Sequence, residues 1–174
     1  MSTPGIDFAN LTLRDALDLA ILIEEEAEER YVEFANQMEL HHTPDAAQFF
    51  RYMAENEAKH GSQLTARRRD LFAYSPRVVS RAMLFDVEAP EYDEARAFMT
   101  PRAAMQSALR AEKKAYTFFV EALPRIRDTQ VRQLFEELRD EEIEHQELVQ
   151  RELAKLPPDD AIAPDAFEDE PEAH

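Results

Sequence analysis

Six residues carry the chemistry that can be read from this chain: Glu24, Glu57, His60, Glu112, Glu142 and His145. Glu57 and His60 are three positions apart, as are Glu142 and His145, and residues three apart on a helix are neighbours on one face. Each Glu-x-x-His step can therefore bring a carboxylate and an imidazole to one cation. The chain has no cysteine, which excludes disulfides, zinc knuckles and a cysteine-bound iron site and leaves oxygen and nitrogen donors. A third such step, Glu39 to His42, lies beside Thr43-Pro44 and has no counterpart elsewhere. It is read as the end of a helix, where histidine suits the negative pole of the dipole.

An internal repeat ties the six residues together. Residues 22–31 align with 110–119, placing Glu24 over Glu112, Ala27 over Ala115 and Tyr31 over Phe119. Residues 50–60 align with 135–145, placing Glu57 over Glu142 and His60 over His145. All six interrupt apolar stripes: Glu24 and Glu112 one turn before their alanines, Glu57 and His60 between Met53 and Leu64, Glu142 and His145 between Leu138 and Leu148. Four carboxylates in an apolar interior are prohibitively costly unless neutralised. Two divalent ions neutralise four carboxylates while both imidazoles stay uncharged. Tyr31, two turns beyond Glu24, can donate a hydrogen bond to a ligand carboxylate or simply pack in the core. Phe119, Met53 and Met105 read as core, and Glu25, Glu26, Glu28, Glu29 and Glu141 as solvated faces or ion pairs, with Glu28 bordering the interior stripe.

The elements that must position these residues are four long helices. The apolar period predicts helices over residues 12–40, from Pro44 to about Leu71, from Pro101 to about Leu123, and from about Asp128 to Leu153. Thr43 and Pro44 are expected as N-cap and first residue of the second helix, and Thr100 and Pro101 repeat that signal. Short links make two antiparallel hairpins, and residues 72–99, with a short helix expected over 91–98, are long enough for a crossover along the bundle. Only two glycines among 174 residues favour the same all-α answer. The expected organisation is one antiparallel four-helix bundle over residues 1–156 and an acidic, proline-containing tail over 157–174.

A net charge of −17 argues against nucleic acid as a partner. Seven of the acids lie in the tail after Lys155, but the body keeps a clear acidic excess. No secretory signal and no apolar run of roughly 20 residues is visible. Cytoplasm, away from membranes, is the default expectation.

The motifs Glu24-x6-Tyr31, Glu57-Ala-Lys-His60, Glu112-x6-Phe119 and Glu142-Ile-Glu-His145, spread over most of residues 13–156, resemble the rubrerythrin-like branch of the ferritin superfamily. The resemblance implies a ferritin-like bundle holding two iron ions, with manganese or zinc also suited to this donor set. It implies Glu24, Glu57, His60, Glu112, Glu142 and His145 as ligands, and reaction with peroxide or O2. It also implies a homodimer or higher homo-oligomer. Relatives carry a second carboxylate three residues after the third-helix ligand, where this chain has Ala115, and a cysteine-bound rubredoxin domain, for which it has no cysteines. Electrons are therefore expected from an external donor protein. The alternatives are a ferroxidase or iron-delivery protein without multiple turnover, and a bundle with a structural zinc site.

Overall fold

The computed structural model describes residues 5–84 and 100–158. Helix α1 spans Leu13–Leu40, α2 Pro44–Phe72, α3 Pro101–Ala122 and α4 Thr129–Lys155, and no strand occurs among the described residues. These bounds fall within about two residues of those the apolar period predicts.

The helix starts follow from local chemistry. The Thr12 hydroxyl accepts from Asp15 N at 3.2 Å, and Thr100 does the same for Ala103 N at 3.1 Å. Asp128 Oδ1 accepts from Gln130 N and Val131 N at 2.9 and 3.0 Å, satisfying donors that have no partner inside the helix. Thr43 departs from expectation. Pro44 does open α2, but the Thr43 hydroxyl makes no cap bond to it and instead donates to Met38 O at 2.9 Å. Thr43 is already committed to ending α1: His42 turns left-handed at φ 57°, His42 N bonds Glu39 O, and Thr43 N bonds Met38 O. This is the Schellman closure, and it accounts for the Glu39–His42 step as a helix end.

The helices pack as two hairpins, α1 most extensively on α2 and α3 on α4. Two apolar clusters form the core. One includes Phe8, Leu17, Phe119 and Phe135, and the other Tyr31, Phe50, Met105 and Val149. Helices α1 and α4 run from the first cluster to the second, and α2 and α3 run the opposite way. The connection from α2 to α3 therefore starts beside the first cluster and ends beside the second. Its first part is pinned to α1 where Arg81 forms a double hydrogen bond to Glu29, at 2.7 and 2.9 Å. The short helix expected over 91–98 and the tail from 159 onward lie outside the described residues.

An ion pair links α1 and α2 near the first cluster. Asp18 is fully buried and takes two bonds from Arg68, at 2.7 and 3.2 Å. The same guanidinium donates to Ala73 O and Ser75 O at 3.1 and 2.6 Å, so it also fixes the chain as it leaves α2. Ala73 sits there at φ 51°, ψ −132°, a region that favours glycine. Ala73→Gly should relieve the strain and raise stability by about 1 kcal/mol, or roughly 3 °C in thermal unfolding followed by circular dichroism.

Candidate metal centre

On each helix the polar residues lie between the two apolar clusters. Glu24 follows Ile23 of the first cluster on α1, and Glu57 follows Ala54 of the second on α2. Glu112 lies between Ala108 and Phe118 on α3, and Glu142 and His145 between Leu138 and Val149 on α4. The bundle thus has a polar layer with a dry layer on either side. Glu24, Glu57, Glu112, Glu142 and His145 are buried, and His60 is half-buried at the rim.

The structure brings all six residues of the sequence pattern into this layer. His145 Nδ1 lies 3.2 Å from Glu57 Oε1, 3.6 Å from Glu112 Oε2 and 4.0 Å from Glu142 Oε2. His60 Nδ1 lies 4.0 Å from Glu24 Oε2. The two imidazoles stack with centroids 5.5 Å apart and planes 9° apart. The Tyr31 hydroxyl crosses from α1 to donate to Glu112 Oε1, while its ring packs against Phe50.

A seventh residue joins them. Glu141, read from the sequence as a solvated or ion-paired side chain, places Oε2 3.5 Å from His60 Nδ1. The available signal was its position one turn before His145, since residues four apart share a face. The repeat could not show it, because the counterpart of Glu141 is Asn56.

Charge in the layer is unbalanced in a telling way. Burial, followed by the neighbouring Glu24 carboxylate, pushes the Glu57 carboxyl well above the usual range. Burial also disfavours charge on Glu112, but its contacts to His145 and Glu142 outweigh this and hold it low. Burial alone would lower His145, yet the carboxylates of Glu112, Glu57 and Glu141 raise it to about 9. His60, facing burial and the charge of His145, is lowered. Protein groups alone can hold these carboxylates together only by keeping protons among them.

Several atoms able to bind metal are buried without a hydrogen-bond partner: Glu57 Oε1, Glu141 Oε2, His60 Nδ1 and His145 Nδ1. Buried polar atoms are normally satisfied, so a cluster of exceptions needs a cause. Three overlapping triads, each with its ligand atoms within 4.8 Å of one another, are spaced to hold a metal ion: Glu112–Glu142–His145, Glu57–His60–His145 and Glu24–His60–Glu141. The donor set of carboxylate oxygens and imidazole nitrogens fits iron, manganese or zinc. Beside the layer, a cleft of about 390 Å³ between α1 and α2 reaches Glu57, lined also by Glu25, Glu28, Gly61, Thr65 and Arg69.

A four-helix bundle with a Glu on each of two helices and Glu-x-x-His on each of the other two is the architecture of the ferritin-like carboxylate proteins. Within that class, the chain belongs to the rubrerythrin family, whose family model matches residues 15–153. The family is typically di-iron, in keeping with groups here able to bind metal. A solved structure of an uncharacterised conserved protein from Magnetospirillum magnetotacticum MS-1 is similar to it. That chain is 32% identical, with a TM-score of 0.72 over 85% of this chain and 97% of its own. No curated protein matches the chain significantly. No helix among the described residues is long and apolar enough to cross a membrane.

Proposed function

We propose that the protein is a non-haem di-iron oxidoreductase of rubrerythrin type, reducing peroxide or O2 with electrons from an external donor. The observation that carries this reading is the set of buried, unbonded ligand atoms on Glu57, His60 and His145, gathered in one layer between two apolar clusters. When bound, a pair of irons supplies the electron storage that no side chain here provides. The protein supplies the rest. Glu24, Glu57, His60, Glu112, Glu142 and His145 hold the pair, and their carboxylates offset its charge. Tyr31 fixes Glu112 by donating to Oε1, which leaves Oε2 directed towards His145. The apolar clusters keep bulk water out above and below, and the cleft at Glu57 is wide enough for a molecule of peroxide size. Cytoplasmic location and a homo-oligomeric assembly belong to the same reading.

The test is to load the protein anaerobically with Fe(II), add peroxide or O2 separately, and follow oxidation with a reductant present. Repeated turnover supports the oxidoreductase. A single stoichiometric oxidation supports the second reading, a ferroxidase or iron-delivery protein, which Ala115 favours by leaving α3 without the carboxylate that the relatives carry there. Metal analysis tests the ligands themselves. Wild type should hold two ions per chain, and Glu57→Ala and Glu142→Ala should each lose at least one. Two ions retained in both variants would refute the assignment.

A further inference from the structure

We infer that Glu141 is a seventh ligand, binding the outer of two metal positions together with Glu24 and His60, and that this outer position is the one that exchanges. The inference rests on the di-metal reading above and extends it to a residue outside the repeat.

The three triads are not equivalent. Glu112, Glu142 and His145 form an inner position whose side chains are 2%, 7% and 5% exposed. Glu24, His60 and Glu141 form an outer one, where His60 is 23% and Glu141 34% exposed. Glu57 is grouped with both imidazoles, so its carboxylate stands between the two positions, where a bridge belongs. Without Glu141 the outer ion has only Glu24, His60 and a share of Glu57. With it, each position has two carboxylates and one imidazole of its own.

Glu141 has the form of a ligand rather than of a solvated side chain. Its stem is partly exposed, yet Oε2 is buried without a hydrogen bond, and His60 Nδ1, likewise buried without one, faces it at 3.5 Å. A surface carboxylate gains nothing by turning from water towards other acids unless a cation offsets the cost. Its place on α4 also matters. On α3 the residue one turn after Glu112 is Ala115, which offers no ligand atom, whereas Glu141 on α4 offers a carboxylate on the more open side of the layer. An ion held there is closer to solvent than one enclosed by Glu112, Glu142 and His145, so it is the first to leave and the last to load.

Anaerobic titration of the metal-free protein with Co(II), followed by visible absorption, tests this without reference to activity. Wild type should bind two Co(II) per chain in two steps. Glu141→Gln, an isosteric change at a partly exposed position, should keep its helical circular dichroism and its first step. Its second step should weaken more than the roughly 10–100-fold expected for losing a group that only supports a ligand, with a changed visible band because a charged carboxylate ligand is lost. Glu136→Gln, at an exposed position on the same helix, should leave both steps unchanged. A Glu141→Gln protein with both steps and the band unchanged would overturn the inference and leave the di-metal reading intact. Weaker binding with an unchanged band would make Glu141 a positioning group and overturn its role as a ligand. Wild type that bound no Co(II) would overturn both.

Discussion

Adding Fe(II) in the absence of oxygen, or Zn(II), to the metal-free protein should raise its unfolding temperature by roughly 15–30 °C. Ions that bind only the folded chain stabilise it by mass action, about 4 kcal/mol per site when free metal exceeds Kd a thousandfold. Two sites give about 8 kcal/mol, and a domain of this size gains roughly 2–4 °C per kcal/mol. The gain is large because the metal-free state is poor: Glu57 and Glu112 share a buried layer with Glu24 and Glu142, and burial and carboxylate neighbours push the Glu57 carboxyl well above its usual range. Scanning calorimetry with and without metal measures the shift, and a chelator should reverse it. Glu57→Ala should abolish most of it, because Glu57 is grouped with both imidazoles. A shift of only a degree or two in wild type would mean that the layer is not a metal site.

The helices were legible in the sequence because their apolar residues keep a helical period and their starts carry Thr, Asp and Pro. The six residues of the candidate centre were legible for the opposite reason. A glutamate or histidine that breaks an apolar stripe is expensive, and six such breaks in repeat order point to a single shared cause. Symmetry found them, and symmetry also hid Glu141, whose counterpart Asn56 cannot bind metal as a carboxylate does. Only the packing of α4 against α1 and α2 shows that its Oε2 meets His60. Thr43 failed differently. Its residue type suits an N-cap, but its backbone N–H closes the Schellman turn of α1 and its hydroxyl is turned back to Met38 O, making no cap bond to α2. Asp18 was the deepest omission. It lies on the stripe between Leu17 and Leu19, and its partner, 50 positions away, is one arginine in a run of three. Nothing in the sequence singles out Arg68 from Arg67 and Arg69; the fold does, by burying it.

That pair carries the second large effect. Asp18→Ala should lower stability by about 3–5 kcal/mol, the usual cost of leaving one member of a buried ion pair without its partner. For a chain of this size that is a fall of roughly 10 °C or more in thermal unfolding. Arg77 cannot take the place of Asp18, since it is itself a cation, 3.8 Å from Asp18 Oδ1 and left with less compensation by the change. Replacing both members, Asp18→Leu with Arg68→Met, should cost less than Asp18→Ala alone, because no buried charge is then stranded. It should still cost something, because Ala73 O and Ser75 O lose the guanidinium that holds the end of α2. Metal content should not change in either variant: Asp18 lies six residues before Glu24, about 9 Å along α1, with Leu22 and Ile23 of the first apolar cluster between them. A variant that melts early yet still binds two ions would separate what holds the hairpin together from what holds the metal. If Asp18→Ala melted with the wild type, the pair would have to be reached by water, and the close fit of α1 on α2 near Arg68 would have to be looser than its bond lengths imply.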